Sequence, residues 1–183
     1  MPVNAPNVNL DILAPSFNLK NIDNQNLSLD DARGENGTVV VFICNHCPYV
    51  KKIANRLKKD SDELLKHSIN TIAIMSNDVI NYPDDSFENM KIFSKKYEFN
   101  FPYLYDETQE VAKKYDAVCT PDFYGFDANL KLKYRGRIDS GVINMEQDNQ
   151  IKRELFNAMI KIKDHGVGPS EQFNSIGCSI KWK

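Results

Sequence analysis

The sequence predicts an α/β fold, and three consecutive stretches carry that prediction. Val39-Val40-Val41-Phe42-Ile43 is a continuous apolar run without polar alternation, the pattern of a central strand covered on both faces. Val50, Ile53, Ala54, Leu57, Leu64 and Leu65 then recur at helical spacing, while Lys51, Lys52, Arg56, Lys58 and Lys59 fill the other face. A second apolar run, Ile69 to Met75, follows. Strand, helix and strand in this order make a right-handed βαβ unit.

The other elements follow from local pattern. Short alternating stretches before Gly34-Glu35-Asn36-Gly37 (Ser16 to Leu19, Leu27 to Leu29) predict small strands. Pro48 suits the first turn of the long helix, where its missing N–H costs little. After a polar loop from Ser76 to Asp85 come a helix near Ser86 to Tyr97, a strand at Tyr103 to Tyr105 and a helix near Thr108 to Tyr115. Phe123 to Phe126 and Leu130 to Tyr134 alternate around Asp127-Ala128-Asn129, which predicts an antiparallel hairpin. A last amphipathic helix is expected from about Gln147 to Lys163, ended by Gly166. The whole chain, 1–183, is expected to form one domain, with 1–37 as an N-terminal strand extension and 166–183 as an aperiodic tail holding Cys178 and Trp182.

Composition excludes several classes of function. Among 183 residues, 23 Lys plus Arg balance 25 Asp plus Glu, a formal charge of −2. That balance leaves no basic footprint for nucleic acid or for an anionic membrane. The longest apolar run, Val39 to Cys44, is too short to span a bilayer. The opening residues lack the basic start and apolar stretch of a signal peptide, so a cytoplasmic location is expected.

In a cytoplasmic chain, cysteines are more often catalytic or metal-binding than structural disulfides. Cys44 and Cys47 form a C-x-x-C at the join between strand and helix, where free N–H groups and the helix dipole favour a thiolate. One helical turn also brings the second sulfur close enough to close a disulfide. His46 is expected to add positive charge near Cys44 and lower its pKa. Asn77 and Asp78, after the second strand, stand on the carboxyl edge where sites form in open α/β sheets; a plain turn explains them equally well. Cys119 and Cys178 are additional candidate thiols, with a buried core cysteine the plainer reading of Cys119. Thr120-Pro121 is a candidate cis peptide.

These residues resemble the thioredoxin-like redoxin family, the alkyl hydroperoxide reductase and thiol-specific antioxidant (AhpC/TSA) group. Ala14 to Leu19 is similar to that group's opening. Phe42-Ile43-Cys44-Asn45-His46-Cys47-Pro48-Tyr49-Val50, Tyr82 to Asp85, Phe101 to Asp106, Cys119 to Phe123 and Ser175 to Cys178 resemble a bacterial subfamily carrying Cys-Asn-His-Cys. The resemblance implies a thioredoxin-like fold with a central mixed sheet and flanking helices. It also implies Cys44 as attacking thiol, Cys47 as resolving thiol, and Thr120-Pro121 as a cis-proline loop that meets the substrate.

The expected activity is thiol-disulfide exchange on protein or small-molecule disulfides, recharged by a reducing partner dithiol, with no cofactor. The alternative enzyme is a peroxiredoxin-like peroxidase acting on hydroperoxides. Placing Cys47 on the peroxidatic cysteine puts Val40 and Cys44 where that family has Pro and Thr; around its expected arginine lies Cys119-Thr120-Pro121, and the next arginines are Arg135 and Arg137, beyond the hairpin. A different class is a non-catalytic redox sensor or zinc-binding module. No metal is expected, because a second C-x-x-C is absent.

Overall fold

The structure is a computed structural model that describes residues 2–6, 9–142 and 150–183. In chain order its elements are β1 (Pro2–Asn4), β2 (Asn18–Asn21), β3 (Asn26–Ser28), α1 (Leu29–Ala32), β4 (Gly37–Phe42), α2 (Pro48–Leu65), β5 (Ile69–Met75), α3 (Phe87–Lys96), β6 (Tyr103–Tyr105), α4 (Glu110–Lys114), β7 (Cys119–Thr120), β8 (Asp122–Phe126), β9 (Leu132–Gly136), α5 (Glu154–His165) and β10 (Ile176–Ser179).

Among the described residues, seven strands form one mixed sheet in the order β3-β2-β6-β5-β4-β8-β9, and three form a second in the order β1-β10-β7. β4 lies parallel to β5 and antiparallel to β8, so the expected βαβ unit stands at the centre of the larger sheet. The unbroken apolar run around β4 has a simple cause. Val39, Val41 and Ile43 enter one core with Val50, Ile53 and Leu57 of α2 and Leu155 and Met159 of α5. Val40 and Phe42 enter the other, with Leu104, Ala112, Tyr115 and Tyr124. Both faces of the strand are covered, and its one polar side chain, Thr38, stands near the strand's start with its hydroxyl accepting the Gly34 N–H at 3.1 Å.

Several boundaries depart from the periodicity for local reasons. Gln109 has a left-handed backbone, φ +64°, so α4 starts after it rather than at Thr108. Leu130 is likewise left-handed, φ +59°, inside the hairpin turn, where Asp127 Oδ1 accepts the N–H groups of Asn129 and Lys131, both at 2.9 Å. The expected start of the last helix, Gln147, lies outside the described residues, and 151–153 are not helical. Arg153 instead reaches across to α2, with Nη2 2.6 Å from Asp60 Oδ1 and Nη1 2.9 Å from Glu63 Oε2, and the helix begins at Glu154.

The tail is not aperiodic throughout. β10 pairs antiparallel with β1 on one side and β7 on the other, with Cys178 opposite Thr120. Among the described residues no helix is long and apolar enough to cross a membrane.

Candidate active site

β4 ends at Phe42, and Cys44 to Cys47 form the loop into α2. Cys47 is the N-cap residue, with Pro48 in the first turn. Its sulfur therefore stands where the helix's first N–H groups have no partner of their own. Cys44 is 1% and Cys47 0% exposed, so both sulfurs are enclosed.

The opposite wall is Thr120, whose peptide bond to Pro121 is cis as the sequence suggested. Thr120 touches both sulfurs. Its Oγ1 lies 3.3 Å from Cys44 Sγ, and its carbonyl accepts a hydrogen bond from the Cys47 thiol at 3.3 Å. Residues separated by more than seventy positions thus close one small chamber.

The loop is held from below by Asp85, which is fully buried. Asp85 Oδ1 accepts the backbone N–H of Asn45 at 2.7 Å and of His46 at 3.2 Å. Asp85 Oδ2 accepts the Asn77 side-chain amide at 2.8 Å and lies 2.6 Å from His46 Nδ1. Four donors on one carboxylate fix the turn without help from the cysteines. Asn45 is held further by donating to the Asp84 carbonyl (3.1 Å) and accepting from the buried Tyr103 hydroxyl (2.9 Å). The His46 ring stacks on Tyr82 at 5.9 Å. Asp85 is the residue sequence reasoning missed as a site residue; it lies in the Tyr82 to Asp85 stretch that carries the resemblance, but its residue type does not set it apart from Asp84.

Electrostatics separate the two thiols. Cys47 is lowered to about 5, chiefly by a hydrogen bond from the Cys44 thiol, with further donors from Cys178 and the Val50 backbone outweighing burial. Cys44 is pushed well above the ordinary thiol range by its bond with Cys47, by burial and by the charge of Asp85. This reverses the expectation that His46 lowers Cys44. The imidazole is bound to Asp85, and the carboxylate's charge falls on Cys44.

The remaining candidates divide. Asn77 joins the Asp85 network and also accepts the Lys181 N–H at 2.9 Å. Asp78 shapes its own turn, accepting the Ile80 N–H at 3.0 Å, and its backbone donates to the Lys181 carbonyl at 2.8 Å. Cys119 is buried, and burial followed by the charge of Asp122 raises its thiol. Cys178 is half-buried and packs against the core that contains Cys44 and Cys47. Trp182 does not cover the site; it is largely exposed beside Lys113.

Among the described residues, Cys44, His46 and Asp85 form a group of three metal-type ligands, their donor atoms within 4.8 Å of one another. Both Asp85 oxygens are already engaged by four donors, so a cation there would have to displace the contacts that hold the loop.

The AhpC/TSA family model matches residues 12–135. An uncharacterized conserved protein from Geobacillus kaustophilus is 42% identical, with a TM-score of 0.91, covering 100% of this chain and 97% of its own. A hypothetical protein from Sinorhizobium meliloti 1021 is 31% identical, with a TM-score of 0.89 and 98% of each chain covered. A secreted Mycobacterium tuberculosis disulfide oxidoreductase shares the fold at 17% identity, TM-score 0.54, covering 63% of this chain and 79% of its own. No curated protein matches the chain. The fold is thioredoxin-like, and a chain matched over this span, with paired cysteines at the strand-to-helix join, belongs to the AhpC/TSA family.

Proposed function

We propose that the protein is a thiol-disulfide oxidoreductase in which Cys47 is the attacking thiolate and Cys44 the resolving thiol. The observation that carries this reading is the position of Cys47 as the N-cap residue of α2, where the helix's free N–H groups favour a thiolate and its thiol is lowered while Cys44 beside it is raised. A thiolate is the nucleophile of exchange, and the raised partner acts second. The assignment reverses the roles implied by resemblance, because helix and donors favour charge on Cys47 whereas Asp85 opposes it on Cys44.

In the first step Cys47 attacks one sulfur of an incoming disulfide, forming a mixed disulfide and expelling the other half as a thiolate. Cys44 then loses its proton and attacks Cys47, releasing the bound half as a second thiol. The His46–Asp85 pair lies within 4.8 Å of the Cys44 sulfur, a distance one water bridges to carry that proton away. Two electrons leave the protein as the Cys44–Cys47 disulfide, and a partner dithiol restores them.

Burial of both sulfurs favours a small second substrate, a hydroperoxide, which enclosed thiolates reach more easily than a bulky disulfide. Against that reading, the arginines that follow the hairpin are already engaged. Arg135 Nη2 binds Asp122 at 2.9 Å and Arg137 Nε binds Glu154 at 2.7 Å.

The test is disulfide reduction by Cys47→Ser and Cys44→Ser variants. Cys47→Ser is expected to abolish exchange, while Cys44→Ser still attacks and forms a mixed disulfide on Cys47 that Cys44 can no longer resolve. Equal activity in the two variants overturns the assignment. Stoichiometric zinc on the thiols of protein purified under reducing conditions would replace it with a metal-held module, and single-turnover peroxide consumption far above that of a free thiol would favour the peroxidase.

A further inference from the structure

We propose that Cys178 is a third redox thiol, which carries the disulfide from the enclosed Cys44–Cys47 pair to the surface, where a reducing dithiol takes it. The inference rests on the dithiol reading above and names the route by which the pair is recharged.

The geometry comes from the C-terminal strand. β10 lies antiparallel on β7, with Cys178 directly opposite Thr120, the residue whose hydroxyl and carbonyl touch the two site sulfurs. The approach is close. A Cβ at Gly177 would stand 1.9 Å from the Thr120 carbonyl oxygen, so only glycine lets the strand lie flat there. The strand is held beyond that point as well, through Lys181 to Asn77 and Asp78 and through the Gln109 amide to the Lys181 carbonyl at 2.8 Å. Cys178 is thereby fixed beside Cys47, and both its thiol and its backbone N–H stabilise the Cys47 thiolate.

Exposure explains why a third sulfur is needed. Cys44, Cys47 and Cys119 are buried, whereas Cys178 is only half-buried. A disulfide between Cys44 and Cys47 lies beneath the surface, where a bulky reductant reaches it less readily than it reaches Cys178. Cys119 offers no exit, since it is as fully buried as the pair itself.

The steps balance without an added oxidant. Cys178, whose thiol burial pushes up to about 12, gives up its proton as it attacks Cys47 of the Cys44–Cys47 disulfide; the Cys47–Cys178 bond forms, and Cys44, itself a raised thiol, leaves and takes up that proton. An external dithiol then attacks Cys178 at the surface and expels Cys47. Cys47 is the good leaving group, because the thiol of lower pKa departs faster. The second thiol of the reductant closes its own disulfide and frees Cys178. Two electrons pass from the reductant to the protein.

Two measurements on the full chain test the route. Wild type and Cys178→Ser are oxidised with one equivalent of oxidised glutathione, the Cys44–Cys47 disulfide is verified by peptide mass mapping, and reduction by dithiothreitol is timed. Cys178→Ser is expected to be reduced at least about tenfold more slowly, the loss of one well-placed intramolecular step. In the second measurement, Cys44→Ser under the same oxidant is expected to give a Cys47–Cys178 disulfide, whereas Cys44→Ser/Cys178→Ser stops at glutathione on Cys47. Equal reduction rates, or a Cys44→Ser protein that keeps glutathione on Cys47 with Cys178 free for alkylation, overturns the proposal. If wild type never forms Cys44–Cys47, the underlying dithiol reading fails instead. Circular dichroism of each variant separates these outcomes from misfolding.

Discussion

Asp85 Oδ2 lies 2.6 Å from His46 Nδ1, and the same carboxylate, fully buried, also receives the backbone N–H groups of Asn45 and His46. The conformation of the cysteine loop is therefore set by a residue nearly forty positions away. Asp85→Asn replaces one acceptor oxygen with an amide that faces donors. The expected loss is about 2–4 kcal/mol of stability, measured by urea unfolding. The Cys44 thiol should also titrate lower, because the Asp85 charge is one of the causes that raise it. An unchanged Cys44 titration would show that the carboxylate supports the loop without acting on the sulfur.

Thiolate absorbance of the reduced protein should show one thiol titrating near 5, against an ordinary value of 9.0. Cys44→Ala removes the largest donor, and the midpoint should climb by at least about one pH unit. The sign carries into stability. A group lowered on folding adds stability that is complete above about 9 and fades as pH falls through about 5. Reduced protein should thus gain stability on going from pH 5 to neutrality, and Cys47→Ser should lose that part of the slope.

Behind the cis-proline, Arg135 and Asp122 form a buried ion pair at 2.9 Å. Arg135→Met should cost about 3–5 kcal/mol, because it leaves a buried carboxylate without its partner. Burial already raises the Asp122 carboxyl. Such a group opposes folding when ionised, so the penalty should shrink in acid, where Asp122 takes up a proton. Denaturant midpoints at acidic and neutral pH check this; a penalty independent of pH would assign the loss to packing.

Gly177→Ala would place a methyl group against the Thr120 carbonyl, at 1.9 Å without movement. β10 has to shift off β7, at an expected cost of about 1–3 kcal/mol. Alkylation of Cys178 should then speed up severalfold. Unchanged alkylation would mean that the cis-proline loop, not the strand, gives way.

The βαβ unit, the hairpin and the C-x-x-C were legible because each rests on short-range signals. A strand buried on both faces is apolar throughout, an amphipathic helix repeats every turn, and Asp127 writes its turn into three adjacent residues. β10 was not legible. It covers four residues of mixed burial, and its partner β7 is only Cys119 and Thr120, far away in the chain. The role of Asp85 was not legible either: its stretch, Tyr82 to Asp85, carries the resemblance, but a buried carboxylate reads in sequence like any acidic residue of a loop. The surroundings of Cys44 were not legible for a related reason: proximity of His46 in sequence suggested help for that thiol, but the imidazole is bound to Asp85.

The division of β4 between two cores has a consequence for mutational analysis. Val40 and Val41 are joined by one peptide bond, yet each packs with side chains the other never meets. Trimming both to alanine should cost about the sum of the single losses, because additivity fails through shared partners and these two have none. Covalent neighbours here are energetically independent, and coupling runs through the layers of the fold rather than along the chain.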